Sequence, residues 1–379
     1  MKITLFFTRK MSLKYWVDSG LFEREKLIYE QHLQENNLQE VFWLTYGDKD
    51  SEIADKLKLS GDLHKNITVV SMPKVFTYIF KGDWLYSIVM PFINKKIITD
   101  SDILKTNQID GSWSAVIAKL LYKKVLMIRT GYTLSQLANK NEMFSYLKRK
   151  IIESIERFAY NYADISVVSS QHNKRYLLAK YGLVNESMKV QYNFIDTEIF
   201  KKTANVDQIE RLLYVGRLSK EKNLFALLEA CKKCNFGLDL YGKGPLQEEL
   251  STYVNTHGID VNFKGLVPNK ELVKVYNKYK YYILTSYQEG MPKTLLEAMA
   301  CGCVCIGTNV EGINEVLDET RGYLAMGTEA SSIAVAIEKA QSDVGQVEKQ
   351  NKAVEFVVNN CSIERYIQVE KDIFGEWIK

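Results

Sequence analysis

The chain has 379 residues, enough for two domains at roughly 150 residues each, so one small module is excluded. Hydrophobic residues make up 46% and charged residues 25%, the balance of an ordinary globular protein rather than a disordered or collagenous one. Fifty Lys and Arg against 46 Asp and Glu leave a formal charge of +4, too small a bias to imply a nucleic-acid partner.

The first apolar run, 3–7, reads as a strand; Arg9 and Lys10 end it before a signal-peptide core is reached, so no export signal is expected. Further short apolar runs at 41–45, 67–71, 125–129 and 165–169 alternate with amphipathic stretches such as 20–34 and 112–123. That alternation predicts a parallel sheet covered on both faces by helices. The most apolar stretch, 84–98, is broken by Pro91, Asn94 and two lysines and is short of a membrane span. After a polar, turn-like interval at 192–206, strands are predicted at 212–215, 238–241, 261–264, 281–285 and 304–307. The fold class is therefore α/β, with two doubly wound domains: 1–192, joined by a last helix at 362–379, and 193–361.

Pro245, Pro268 and Pro292 each follow a predicted strand and mark strand-end loops, where open α/β sheets bind ligands. All six cysteines lie in the second half and form no secreted framework, so a reducing cytoplasm is expected. Cys231 and Cys234 have zinc spacing, but no His or second pair completes a site, and no metal or other cofactor is expected.

The richest segment is 285–302. A strand ends at Thr285, a loop holds Glu289 and Gly290, Pro292 suits the first helical position, and Gly302 suits the cap before the next strand. The helix opening after Gly290 offers backbone N–H groups and a positive dipole end to a phosphate. Glu297, inside that helix, reads either as a solvated acid or as a ligand contact. Gly216 and Arg217, with Lys222, follow the first strand of the same domain; two cations there suit a diphosphate, or make a solvated basic loop. Gly242-Lys243-Gly244-Pro245 and Gly265-Leu266-Val267-Pro268 add two more glycine-bearing strand ends, and four such loops on one edge favour a nucleotide site.

These residues carry a family resemblance. Gly216-Arg217 with Lys222, Gly242 to Pro245, Glu289-Gly290 set before Glu297, and Asn309-Val310-Glu311-Gly312 resemble the retaining, nucleotide-sugar-dependent glycosyltransferases of family 4. The resemblance is close over about 190–345 and reaches back through 163–170; the first 160 residues match in pattern only. It implies a GT-B fold, two Rossmann-like domains facing a cleft, with the last helix crossing back to the N-terminal domain. It implies further that Arg217 and Lys222 neutralise the donor diphosphate without a metal, that Glu297 holds the ribose hydroxyls, and that Gly265, Leu266 and Val267 meet the base. Glu289 matches the acid at the sugar. Gly290, Met291, Pro292, Lys293 and Thr294 form the stretch at the phosphates and sugar, and Gly242 and Gly244 line the donor loops.

One departure lies at 125–133, where the family often has a histidine. None of His32, His64, His172 or His257 fills that place, each reading as a surface or helix residue, and Arg129 either takes the contact or is a structural charge. Gly131 permits close approach beside it. On the acceptor side, the strand-end loops 12–20 and 110–113 supply Gly20, Asp110 and Trp113, the last either a core ring or a sugar-stacking one. The stretches 76–92 and 143–152 mix apolar and basic residues and suit either packing on their own domain or an anionic membrane surface.

The expected activity is transfer of a sugar from a UDP- or GDP-sugar to a glycan or lipid-linked acceptor, cytoplasmic or peripheral on the membrane. Richness in Lys, Asn, Ile and Tyr suggests an AT-rich bacterial genome, and with the resemblance, surface polysaccharide assembly. A catalytically weak partner subunit is the second reading. A nicotinamide-dependent oxidoreductase is weaker, because no GxGxxG follows the first strand.

Overall fold

The computed structural model describes residues 1–136, 146–183, 188–204 and 206–377. Seven strands form one wholly parallel sheet: β1 (Lys2–Phe6), β2 (Glu40–Leu44), β3 (Ile67–Val70), β4 (Ile103–Thr106), β5 (Val125–Thr130), β6 (Ile165–Val168) and β7 (Met188–Val190), in the order β3-β2-β1-β4-β5-β6-β7. Six more form a second parallel sheet: β8 (Ile209–Val215), β9 (Leu238–Tyr241), β10 (Val261–Gly265), β11 (Tyr279–Leu284), β12 (Val304–Thr308) and β13 (Tyr323–Ala325), ordered β10-β9-β8-β11-β12-β13. Helices on both faces explain why the central strands read as unbroken apolar runs. Edge strand β10 instead alternates between half-buried and exposed residues.

The chain divides into two compact units. Met1–Gln191 with Ile367–Lys379 make the first, and Tyr192–Tyr366 the second. In the first, Trp43 of β2 is fully buried and meets the rings of Phe7, Trp16 and Tyr29 at 5.5–5.8 Å. The last helix, Ile363–Trp377, is tied into this unit through Glu370. Glu370 is only 1% exposed, as are Lys105 on β4 and His32 on the helix Phe22–Gln34. Its two oxygens take Lys105 Nζ at 2.5 Å and His32 Nε2 at 3.0 Å. Burial alone would push the Glu370 carboxyl up, but the Lys105 ammonium and the His32 imidazole hold it down at about 2. His32, expected on a surface or helix, is thus a helix residue but a buried one.

Strand order reverses once in each sheet, between β1 and β4 and between β8 and β11. The crevice beyond the carboxyl ends at such a reversal is where doubly wound sheets place ligands. The second unit carries its glycine-rich loops at that point.

Several local expectations change. Residues 12–20 are not a plain loop: Ser12 Oγ accepts from Tyr15 N at 3.0 Å and caps a helix, Leu13–Asp18, that buries Leu13 and Trp16. Residues 110–113 likewise lead straight into the helix Ser112–Tyr122, with Trp113 in its first turn. Pro91 does not break the apolar stretch, since it lies inside the helix Gly82–Ile93. The Ser87 carbonyl that a proline at that place leaves without its helical donor receives the Ser114 hydroxyl instead. The basic, apolar stretch 143–152 lies in part, at 143–145, outside the described residues.

Candidate active site

At the end of β8, Gly216 N–H donates to Tyr241 O at 2.9 Å, and Gly242 N–H donates to Gly265 O at 2.7 Å. The three strand-end loops are thus laced side by side. A side chain on Gly242, whose φ is +138°, would put its Cβ 1.8 Å from Gly216 O, and one on Gly244 would come 2.2 Å from Leu218 O. Only glycine permits this approach. Gly242→Ala is expected to cost about 2–3 kcal/mol, by overpacking in a backbone region closed to alanine, read from denaturant midpoints. Gly258→Ala is the control, since φ there is +62° and nothing lies within 4 Å; its cost is about 1 kcal/mol.

Arg217 follows on this edge and is exposed, its carbonyl taking the buried Tyr214 hydroxyl at 3.0 Å. Lys222 closes a short helical turn, Lys220–Lys222, and its Nζ lies 2.5 Å from Glu289 Oε1. The side chains are 19% and 12% exposed, so the pair is largely screened from water yet open on one side. Ser286 Oγ donates to the same Glu289 oxygen at 2.6 Å. Backbone bonds fix both partners. Tyr287 N–H donates to Glu221 O at 2.9 Å, Glu289 N–H to Glu311 O at 3.1 Å, and Thr285 Oγ1 to Lys222 O at 3.1 Å. Gly312, with φ +81°, lets the 309–312 turn pass under Glu289, where a Cβ would meet its carbonyl at 2.4 Å.

The helix Lys293–Ala300 follows. Pro292 is its N-cap rather than its first helical residue, and no side chain caps its N–H groups. Asn193 donates to Met291 O at 2.9 Å, Thr294 Oγ1 accepts from Tyr282 at 2.8 Å, and Lys293 Nζ sits 4.4 Å from the centre of the Phe194 ring. Glu297 is not a solvated helix acid: it is 4% exposed and its Oε2 accepts the Tyr276 hydroxyl at 2.8 Å. Burial and that neighbouring carboxylate raise the Tyr276 phenol well above its ordinary range. Leu266 is exposed, whereas Gly265 and Val267 are half-buried.

The donor-side residues named from the sequence therefore share one sheet edge, and the structure adds Ser286, Tyr214, Tyr276 and Asn193. Single Ser, Tyr and Asn residues carry no motif of their own. Ser286, three residues before Glu289, was the one a spacing argument could have found. Cys231 and Cys234 lie in the helix Leu224–Cys234, where burial pushes the Cys234 thiol up to about 11.

The remaining candidates belong to the first unit. Asp110, after β4, takes Arg9 Nε, after β1, at 3.0 Å, and Arg9 also pairs with Asp83 in the first turn of the helix Gly82–Ile93. Trp113 is packed: its ring stacks on Trp84 at 4.8 Å and its Nε1 donates to Ser87 at 2.9 Å. Arg9 covers the Trp84 ring at 4.7 Å. Gly20, with φ +73°, separates two helices, Arg129 is half-buried on β5, and Gly131 O accepts from Ser169 at 2.8 Å.

Comparison with known proteins agrees with this architecture. Residues 195–356 match the family described as glycosyl transferases group 1, and residues 31–199 match Glycosyltransferase Family 4. A Campylobacter jejuni N-acetyl-D-galactosaminyltransferase, named for a PP-undecaprenol glycan, is 27% identical over 55% of this chain and 57% of its own length. An amylovoran biosynthesis glycosyltransferase of Erwinia amylovora is 24% identical over 66% of this chain and 74% of its own. For most of the curated relatives it matches, the chain spans about half their length. The crystal structure of Anabaena HepE with UDP and glucose superposes with a TM-score of 0.74 at 17% identity, covering 98% of this chain and 99% of that one. Two matched families that together run through both units, on two parallel doubly wound sheets, make the chain a member of the GT-B, family 4 glycosyltransferases.

Proposed function

We propose that the protein moves a sugar from a nucleotide-sugar donor, with retained anomeric configuration, to a glycan or lipid-linked acceptor in bacterial surface polysaccharide assembly. The observation that carries this reading is the Lys222–Glu289 pair, set at the strand-order reversal among loops that only glycine can build.

In this reading Arg217 and Lys222 face the diphosphate. Lys222 exchanges part of its contact with Glu289 for phosphate oxygens and steadies the charge that grows on the leaving nucleoside diphosphate. No metal ion is called on. Glu289, released from part of its ion pair, faces the sugar and stabilises positive charge developing at the anomeric carbon. The uncapped N–H groups at the start of the helix Lys293–Ala300 suit the phosphates. Glu297, held by Tyr276, receives the ribose hydroxyls, and backbone from Gly265 to Val267 meets the base. The acceptor attacks from the face the diphosphate leaves, and the departing phosphate takes its proton, so no protein nucleophile is needed.

The test is thermal shift of the purified protein with a panel of UDP- and GDP-sugars, with and without EDTA, alongside slow release of nucleoside diphosphate. The expected result is a shift with one donor class and release that EDTA leaves intact. A selective shift without release would give a donor-binding partner subunit instead, and no shift with any donor would overturn the donor site.

A further inference from the structure

The first unit carries an apolar surface that its own fold leaves in solvent. Tyr78 is 77% exposed, Phe80 88%, Leu85 43%, Ile88 48%, Phe92 55% and Ile93 52%. The helix Gly82–Ile93 buries Tyr86 and Met90 against its own unit and turns Leu85, Ile88 and Phe92, at helical spacing, outward. A soluble surface scatters such residues singly, so this concentration calls for an occupant.

The surface is built rather than frayed. The turn before the helix closes through Gly82 N–H to Ile79 O at 2.9 Å, and a Cβ on Gly82 would lie 1.8 Å from Phe76 O. Lys81 adopts a left-handed φ of +54° to make this turn, which lifts Phe80 out as its most exposed ring. The Phe76 ring packs on Tyr86 at 5.4 Å and anchors the turn from beneath.

Charge selects among occupants. Between 73 and 97 the chain has four lysines, 74, 81, 95 and 96, all exposed, and one acid, Asp83, which is paired with Arg9. Apolar and aromatic residues accompanied by exposed lysines suit the boundary between acyl chains and anionic headgroups. A protein partner of this chain would need a matching acidic rim around an apolar centre, which a bilayer of anionic lipid supplies without shape complementarity. Among the described residues no helix is long and apolar enough to cross a membrane, so the contact is with the surface.

We propose that the face formed by the 78–81 turn and the helix Gly82–Ile93 docks the protein on an anionic lipid bilayer, Phe80, Leu85, Ile88 and Phe92 entering the headgroup boundary and the four lysines meeting lipid phosphates. The inference stands apart from the donor site and would survive its failure.

Co-sedimentation of the full chain with vesicles tests it. Binding is expected on phosphatidylcholine vesicles containing about 30% phosphatidylglycerol, and at least about tenfold less on phosphatidylcholine alone. Phe80→Ser/Ile88→Ser, both at exposed positions, is expected to lose at least about tenfold in vesicle affinity at unchanged melting temperature. Lys81→Glu/Lys95→Glu/Lys96→Glu is expected to lose about fivefold or more per lysine and to flatten the salt dependence. Failure to bind either vesicle overturns the proposal. So does a self-associated species in analytical ultracentrifugation that Phe80→Ser/Ile88→Ser dissolves, which would make a second copy the occupant, or binding that both variants leave intact.

Discussion

Glu289→Gln and Lys222→Ala are each expected to lower turnover by at least about a hundredfold at saturating donor, the loss typical of removing one preorganised electrostatic contact. The measurement is release of nucleoside diphosphate, with kcat and KM separated. For Lys222→Ala the expected pattern is a fall in kcat together with weaker donor binding, because under the proposed function the ammonium faces the diphosphate in ground and transition state alike. For Glu289→Gln it is a fall in kcat with little change in KM, because under the proposed function the carboxylate acts on charge that appears only as the bond to the leaving group breaks. The two side chains share one contact of 2.5 Å, so the double variant is expected to fall well short of the product of the single losses. Near-wild-type turnover in both single variants would sink the assignment. Ser286→Ala offers a finer check, since its hydroxyl fixes the same Glu289 oxygen, and a tenfold loss or less is expected for a contact of that kind.

Glu370→Gln is expected to cost about 3–5 kcal/mol of stability, the usual result of removing one member of a buried ion pair and leaving its partner charged and uncompensated. The readout is the denaturant midpoint of the first unit's transition. A hydrophobic replacement of both partners, Lys105→Met/Glu370→Leu, is expected to recover most of the loss, since the penalty comes from the stranded charge rather than from the missing attraction. The pH dependence has a definite sign. The carboxyl is held at about 2 in the folded chain, below its ordinary value of 4.5, so the folded state binds its proton more weakly than the unfolded state. Its contribution is complete above the unfolded value and is lost as pH falls from about 5 towards 2. The gap in stability between wild type and Glu370→Gln is therefore expected to narrow over that window, and a gap that stays constant would remove the pair from the account.

The chain's repeating alternation of apolar strand and amphipathic helix sufficed to read both parallel sheets, because strands covered on two faces announce themselves as unbroken apolar runs. Strand β4 escaped for the same physical reason. Its four residues include Lys105, which reads as solvent-facing until Glu370, far away in sequence, supplies the charge that lets it be buried. Strands β7 and β13 have three residues each, too few for any period to register. At the candidate site the glycines and the Glu289 segment were legible because backbone approach and a helix start have residue requirements. The ion pair itself was not, as it joins Lys222 to Glu289 across two loops whose closeness depends on β8 and β11 being neighbours. Glu297 reads from the sequence as a solvated acid or a ligand contact, and its burial against Tyr276 removes the first of these. Trp113 reads from the sequence as a core ring or a sugar platform, and its ring stacks on Trp84 while staying half-buried.

The seam between Lys105 and Glu370 spans 265 positions of sequence, and this sets an order on biosynthesis. At about 5–20 residues per second, Lys105 leaves the ribosome tens of seconds before its counter-charge exists. During that interval a strand destined for the middle of a sheet holds an ammonium that nothing yet neutralises, and the His32 imidazole waits beside it. The nascent first unit therefore stays incomplete while the whole of the second, residues 192–366, is being made. The chain of the second unit is complete about a second or less before Glu370 is added, so both units acquire their last segments together at the end of synthesis, and a fragment ending at residue 191 would be released without the segment that closes its core.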